Sequence, residues 1–210
     1  RFAVPTKGQS DPVYDTVDSM PNWIDGYHTS IAEVLGDAGY ISGRFGKWHL
    51  GEDLQGFTVS SANGKPGVVG KKFYGNINVA EDLSDAAVQF IEQNRDKPFF
   101  LYVAHWDVHS PLRARKKVVA KYKKKLETYT DDGDWEWNPV YAAMLDAVDT
   151  SVGRIRAKIK QAGLEDNTLF IFTSDNGGAS FATTNRPLRG AKGAFFEGGI
   201  RVPTCAAWPA

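Results

Sequence analysis

The sequence predicts an α/β domain with a mostly parallel or mixed central sheet and helices on both faces. Three observations lead there. Segments with helical spacing alternate with short apolar runs, in the order helix, strand, helix, strand, helix, strand. The apolar runs lack polar alternation, which suits strands covered on both faces. Each run then breaks into polar, reactive residues, at the strand end where such sheets bind ligands. The 210 residues suit one domain or a large piece of one, and 42% hydrophobic with 12% aromatic residues argues against disorder. Zero formal net charge gives no basic field for nucleic acid. No stretch is long and apolar enough to span a bilayer. The single cysteine, Cys205, leaves no internal disulfide and does not decide the compartment.

In order, residues 1–25 are rich in Pro, Gly, Ser and Asp and read as an irregular surface lead-in. A helix is expected from Ser30 to Ala38, opened by a Ser30–Glu33 capping box and closed at Gly39. Tyr40 to Phe45 is a strand leading into Gly46-Lys-Trp-His-Leu-Gly51. Residues 52–78 read as a loop containing a hairpin. The next helix runs from Val79 to Asn94, capped by Asn78, with Leu83, Ala87, Phe90 and Ile91 facing inward. Pro98 to Ala104 is a strand opening into His105-Trp-Asp-Val-His-Ser-Pro111.

Arg113 to Lys125 carries eight basic residues and reads as a solvated helix face or a dock for an acidic polymer. Trp135 and Trp137 could stack on a sugar or simply pack a loop onto the core. Asn138, Pro139 and Gly163 delimit the clearest helix, with Tyr141, Leu145, Val148, Val152, Ile155 and Ile159 at helical spacing. Leu169 to Thr173 is a strand buried on both faces, and a final strand lies near Val202 to Trp208.

The chemistry collects where the strands end. One ends in Lys47 and His49, one in His105, Asp107 and His109, and one in Asp175 and Asn176. Asp175 and Asn176 offer two hard oxygen ligands beside Gly177 and Gly178, where the backbone can approach a bound cation; a plain turn explains the same residues. Lys192 comes from a later loop. Sharing one rim, these residues would suit an anionic tetrahedral substrate: a cation and lysines hold negative charge, and a His hands a proton to the leaving oxygen. Gly43-x-x-Gly46-Lys47 has the wrong spacing for a phosphate-binding loop. His105 and His109, four apart, would suit zinc only on a helix, which the preceding strand and Pro111 disfavour. His28 is given no role.

Taken together, the motifs resemble the type I sulfatases of the alkaline-phosphatase-like superfamily. The resemblance is carried by Ile31-Ala-Glu-Val-Leu-Gly-Asp-Ala-Gly-Tyr40, Gly46-Lys-Trp-His-Leu-Gly51, Pro98-Phe-Phe-Leu-Tyr102 with His109-Ser-Pro111, Thr173-Ser-Asp-Asn-Gly-Gly178, and Leu188-Arg-Gly-Ala-Lys-Gly193 with Phe196-Glu-Gly-Gly-Ile-Arg-Val-Pro203. They fall in the family's order and cover most of the chain. The resemblance implies an alkaline-phosphatase-like sulfatase core that releases sulfate from an organic sulfate ester. It implies that Asp175 and Asn176 ligate a divalent cation, usually Ca²⁺ with Mg²⁺ possible. It implies that Lys47 and His49 position the nucleophile, that His109 is the general acid, and that Lys192 with His109 holds the sulfate. An exported protein, periplasmic or extracellular, is also implied.

The family's nucleophile is a formylglycine made within a Cys/Ser-x-Pro-x-Arg motif. No such motif occurs in the chain, and neither do the paired aspartates that complete the metal site. Residues 1–210 are therefore expected to be a partial catalytic domain, truncated at both ends and inactive alone. Two alternatives stay open: a phosphodiester or phosphonate ester hydrolase of the same superfamily, and a non-catalytic relative that binds sulfated glycans.

Overall fold

The computed structural model describes residues 28–48, 50, 54–61, 76–128 and 138–209. The lead-in, His49, Trp135 and Trp137 lie outside these residues, and so does most of the loop assigned a hairpin. The elements are α1 (Ile31–Asp37), β1 (Ile41–Gly46), β2 (Val59–Ser60), α2 (Val79–Asn94), β3 (Phe99–Ala104), α3 (Lys116–Glu127), α4 (Pro139–Gln161), a 3₁₀ turn (Glu165–Asn167), β4 (Phe170–Thr173), α5 (Glu197–Ile200) and β5 (Thr204–Ala207).

Local chemistry sets the helix starts. At α1 the Ser30 hydroxyl accepts from the Glu33 amide (3.1 Å) and the Glu33 carboxylate accepts from the Ser30 amide (2.6 Å), so the expected capping box forms. At α4 the Asn138 carboxamide oxygen accepts from the amides of Val140 (3.0 Å) and Tyr141 (3.1 Å), with Pro139 in the first turn. Asn78 does not cap α2 with its side chain. Its Oδ1 instead accepts from the Arg115 guanidinium, at 3.1 and 2.8 Å. A charged fork outbids a neutral backbone amide for that oxygen.

Strands β2, β1 and β3 form a parallel sheet in that order, with Ile41 to Gly46 in register with Phe99 to Ala104. Val59–Ser60 pairs in parallel with β1, so the described part of that loop enters the sheet as a strand. Strand alternation sorts the side chains. Phe45, Phe99, Leu101 and Val103 pack with Leu83 and Phe90 of α2. The intervening Phe100 and Tyr102 meet Phe57 and Trp48 on the other face. Helix α1 also packs against β1.

Helix α4 backs α2: Ala87 and Ile91 meet Ile155 and Ile159, and this cluster reaches Phe170 of β4. The expected α2 stripe is buried in full. On α4 the buried face is rotated from the expected one. Ala143, Met144 and Ser151 point inward with Val148, Ile155 and Ile159, while Leu145 is 48% exposed.

Helix α3 has no buried residue and leans on α4 through Lys121 and Tyr122, both bonded to Asp146, which fits the solvated reading of the basic segment. Strand β4 pairs antiparallel with β5 in a second, two-stranded sheet, separate among the described residues from the parallel β2-β1-β3 sheet. The expectation that Leu169 to Thr173 is buried on both faces fails: Ile171 is 58% exposed and Leu169 53%. Phe170 reaches the helices, while Ile171, Phe172 and Thr173 are exposed. Tyr102 of β3 is likewise exposed. Of these three strands, β1, central in its sheet, is buried from Ser42 to Gly46.

Candidate active site

The strand ends deliver their residues by backbone geometry. Gly46 closes β1 at φ +106°, a conformation that side-chain-bearing residues rarely adopt, and a Cβ there would stand 2.0 Å from the Ala104 carbonyl oxygen. That absence of a side chain lets the Lys47 amide donate to Ala104 (2.8 Å) and pins Lys47 beside the turn that follows β3. In that turn the His109 amide donates to the Trp106 carbonyl (2.8 Å), which folds His109 back over Trp106. The Lys47 ammonium stands 6.0 Å from the centre of the Trp106 ring and 3.6 Å from the Asp175 carboxylate. Residues from the ends of β1, β3 and β4 therefore meet.

The Asp175–Asn176 turn is held by a knot of glycine backbones. Gly177 donates its amide to Gly199 (2.9 Å), and a Cβ on Gly177 would lie 1.8 Å from the Gly198 carbonyl oxygen. Asn185 grips Gly178 with two bonds, accepting from its amide and donating to its carbonyl, both at 2.8 Å. The Lys192 amide donates to the same carbonyl (3.0 Å), which ties Lys192 to the turn that carries Asp175 and Asn176.

Of the residues singled out in the sequence, Lys47 and Asp175 meet, Asn176 adjoins Asp175, and Lys192 is tied to their turn through its backbone; His109 lines a small cavity that none of these four lines, beside Trp106, whose ring centre is 6.0 Å from the Lys47 ammonium. His49 lies outside the described residues. His105 and His109 do not form a pair. Neither is on a helix: His105 turns inward, its Nε2 3.5 Å from the Ser151 hydroxyl, while His109 is exposed. Burial lowers the His105 pKa to about 4, so it stays neutral near pH 7. The His109 Nδ1 sits 2.8 Å from the Ser110 carbonyl. A carbonyl only accepts, so Nδ1 carries a hydrogen and Nε2 is the atom left to exchange a proton.

Burial raises the Asp107 carboxyl to about 7. Asp107 and His109 line one small cavity, of about 20 Å³, with Trp106, Arg113 and Asn76 among its walls. Arg44 and Tyr102, not named as site residues in the sequence, lie near each other, with Tyr102 close enough to feel the Asp175 charge. The Arg44 guanidinium sits 4.0 Å from the centre of the Trp48 ring and bonds Ser60 Oγ through Nε (2.9 Å). Burial lowers its pKa; burial, then the Asp175 charge, raises that of Tyr102. The visible signal for Arg44 is a charge inside a predicted strand.

Asp175 and Asn176 supply oxygen donors of the kind a hard cation takes. Asn176 donates its amide N–H to the Gly177 carbonyl (3.0 Å), and its Oδ1 accepts no hydrogen bond among the described residues. Two donors are part of a sphere: Ca²⁺ takes about six to eight oxygens. Among the described residues no group of three or more His, Cys, Asp and Glu side chains is placed to hold a metal ion. The residues fit one side of a cation site.

The sulfatase family model matches residues 8–210. The chain belongs to the sulfatase family. The sulfatase chain is 32% identical to mouse arylsulfatase J over 88% of its own length and 35% of that relative. It is 29% identical to human N-acetylgalactosamine-6-sulfatase, over 85% of the chain and 39% of the relative. The crystal structure of Ps i-CgsB in complex with k-i-k-neocarrahexaose superposes with a TM-score of 0.74 at 28% identity, covering 90% of this chain and 49% of that one. The chain thus spans between a third and a half of the length of these relatives. Its α/β fold is shared with that crystal structure.

Proposed function

We propose that the protein of which this chain is part hydrolyses organic sulfate esters, and that Lys47, His49, His109, Asp175, Asn176 and Lys192 belong to its active site. The observation that carries the reading is the Lys47–Asp175 contact at 3.6 Å, which joins the ends of β1 and β4 beside the His109 turn. A sulfate monoester is a tetrahedral anion, and a rim with two lysines and a histidine has the charge to hold it. Lys47 and Lys192 neutralise the non-bridging oxygens, with Lys47 also aligning the attacking group. His109, through Nε2, gives its proton to the ester oxygen as the S–O bond breaks, so that the departing alcohol does not leave as a high-energy alkoxide.

Asp175 and Asn176 would hold one side of a divalent cation, Ca²⁺ or Mg²⁺; when bound, it supplies positive charge toward the sulfate oxygens. In this reading the attacking group is a formylglycine supplied from upstream of residue 1, so residues 1–210 alone release no sulfate. An exported home, periplasmic or extracellular, belongs to the same reading. No helix among the described residues is long and apolar enough to cross a membrane.

The test is sulfate release from 4-nitrophenyl sulfate, followed by ion chromatography, in a form of the protein that includes the upstream segment. Release that stops on chelation and is absent from residues 1–210 is expected. Phosphate release from bis(4-nitrophenyl) phosphate with no sulfate release would replace sulfatase by phosphodiesterase. Tight binding of sulfated sugars without turnover of either ester would point to a non-catalytic relative.

A further inference from the structure

Trp48 directly follows Lys47, and its indole is boxed on the sheet face away from α2. Phe57 meets the ring edge-on at 5.9 Å and Tyr102 at 6.2 Å. The Arg44 guanidinium closes the box, 4.0 Å from the centre of the indole and 5.5 Å from that of Phe57. Arg44 is itself fixed. It is 2% exposed, and its Nε and a terminal nitrogen both donate to Ser60 Oγ, at 2.9 and 2.7 Å. That fork sets the plane of the guanidinium, and the plane sets the indole lying on it. The neighbouring Ser61 hydroxyl accepts from the Gly46 amide (2.8 Å), so serines beside β1 hold it on both sides of Phe45.

A plain strut needs no charge. Taking a cation out of water is costly, and an apolar side chain of like size often fills such a place with equal or better stability. What arginine adds is direction, through a flat and rigid set of donors that an apolar chain lacks. Direction matters at the preceding residue. The Lys47 amide is bonded to the Ala104 carbonyl (2.8 Å), and the Lys47 ammonium reaches to 3.6 Å from Asp175. The chain leaving β1 is thus gripped twice, by Ala104 on the backbone of Lys47 and by Arg44 on the next side chain.

Resting on the sulfatase reading above, we propose that Arg44 is a positioning residue of the site. It holds Trp48, and through Trp48 it fixes the path along which Lys47 reaches toward Asp175.

The experiment uses the protein with its upstream segment and 4-nitrophenyl sulfate as substrate. Arg44→Met keeps the bulk but removes the fork and the charge. It is expected to lower kcat by about 10–100-fold while the urea midpoint holds or rises, so that unfolding does not explain the loss. Arg44→Lys, which keeps a cation but not the fork, should fall between the two. Trp48→Leu should lower kcat as far as Arg44→Met does. Adding Arg44→Met to it should change kcat by no more than about twofold, because the arginine acts through the indole. Wild-type kcat in Arg44→Met, or losses that multiply in the double variant, overturns the proposal. If Arg44→Met does not fold, Ser60→Ala, which removes only the acceptor of the fork, is judged by the same criteria. If the wild type releases no sulfate, the hydrolase reading fails and amide exchange decides the clamp separately. Exchange of the Lys47 amide about tenfold faster in Arg44→Met, with the α2 amides unchanged, supports the clamp, and equal exchange overturns it.

Discussion

Replacing Gly177 by alanine tests whether the glycine knot positions the Asp175–Asn176 turn. The added Cβ would fall 1.8 Å from the Gly198 carbonyl oxygen and 2.8 Å from its carbon. Both obstacles are backbone, so no side chain can swing away. Gly198 is held in place: its amide is bonded to the Arg189 carbonyl (2.7 Å), and it sits so close to the Gly190 carbonyl that a Cβ on it would stand 2.1 Å from that oxygen. The Gly177 side must therefore yield, by the 1.2 Å that separates 1.8 Å from the 3.0 Å floor of real Cβ contacts. Overpacking of this kind destabilises by about 1–3 kcal/mol. Because Gly177 directly follows Asn176, the displacement reaches both proposed metal ligands. A misplacement of about 1 Å costs on the order of 100-fold in rate.

Gly153 provides the control. It lies mid-way along α4, and an alanine methyl there would meet nothing within 4 Å, so Gly153→Ala should stabilise by about 0.5–1 kcal/mol through helix propensity. Urea unfolding by circular dichroism reads the first effect, and metal stoichiometry with sulfate-ester turnover reads the second. A Gly177→Ala protein with the wild-type unfolding midpoint and full metal occupancy would refute the reasoning.

Other expectations follow from the site. His109→Ala should lower kcat by about 10²–10⁴-fold with little change in substrate Kd, because its proton matters mainly in the transition state; equal losses in both would remove it as the acid. Asp175→Ala should abolish bound divalent metal measured by plasma emission, and retained stoichiometric Ca²⁺ would end its assignment as a ligand.

His105 and Asp107 should tilt the pH dependence of stability in opposite directions. His105 falls from its ordinary 6.5 to about 4, so its contribution is present above pH 6.5 and is lost as pH drops through 4. Asp107 rises from 3.8 to about 7, so its contribution is present below pH 3.8 and is lost as pH climbs through 7. Urea midpoints between pH 4 and 7 should therefore hold up better at the acid end in His105→Gln, and at the neutral end in Asp107→Asn. Parallel curves for wild type and both variants would contradict these burials.

Sequence alone determined the features that depend on near neighbours or on composition. The Ser30–Glu33 box and the Asn138–Pro139 start are decided within one helical turn, where a side-chain oxygen either reaches a backbone amide or does not. The α2 stripe is decided by a 3.6-residue period, and the order of the motifs identifies the family. Tertiary structure decided whatever depended on competition between distant groups. Asn78 was lost to Arg115, and the inner face of α4 turned to bury Ala143, Met144 and Ser151 while Leu145 stayed exposed. The exposure of β4 follows from which faces find a partner, a matter no local pattern records. The meeting of Lys47 with Asp175 is of the same kind: each residue announces its chemistry in the sequence, but only a sheet edge and a knot of glycine backbones bring the two charges within 3.6 Å.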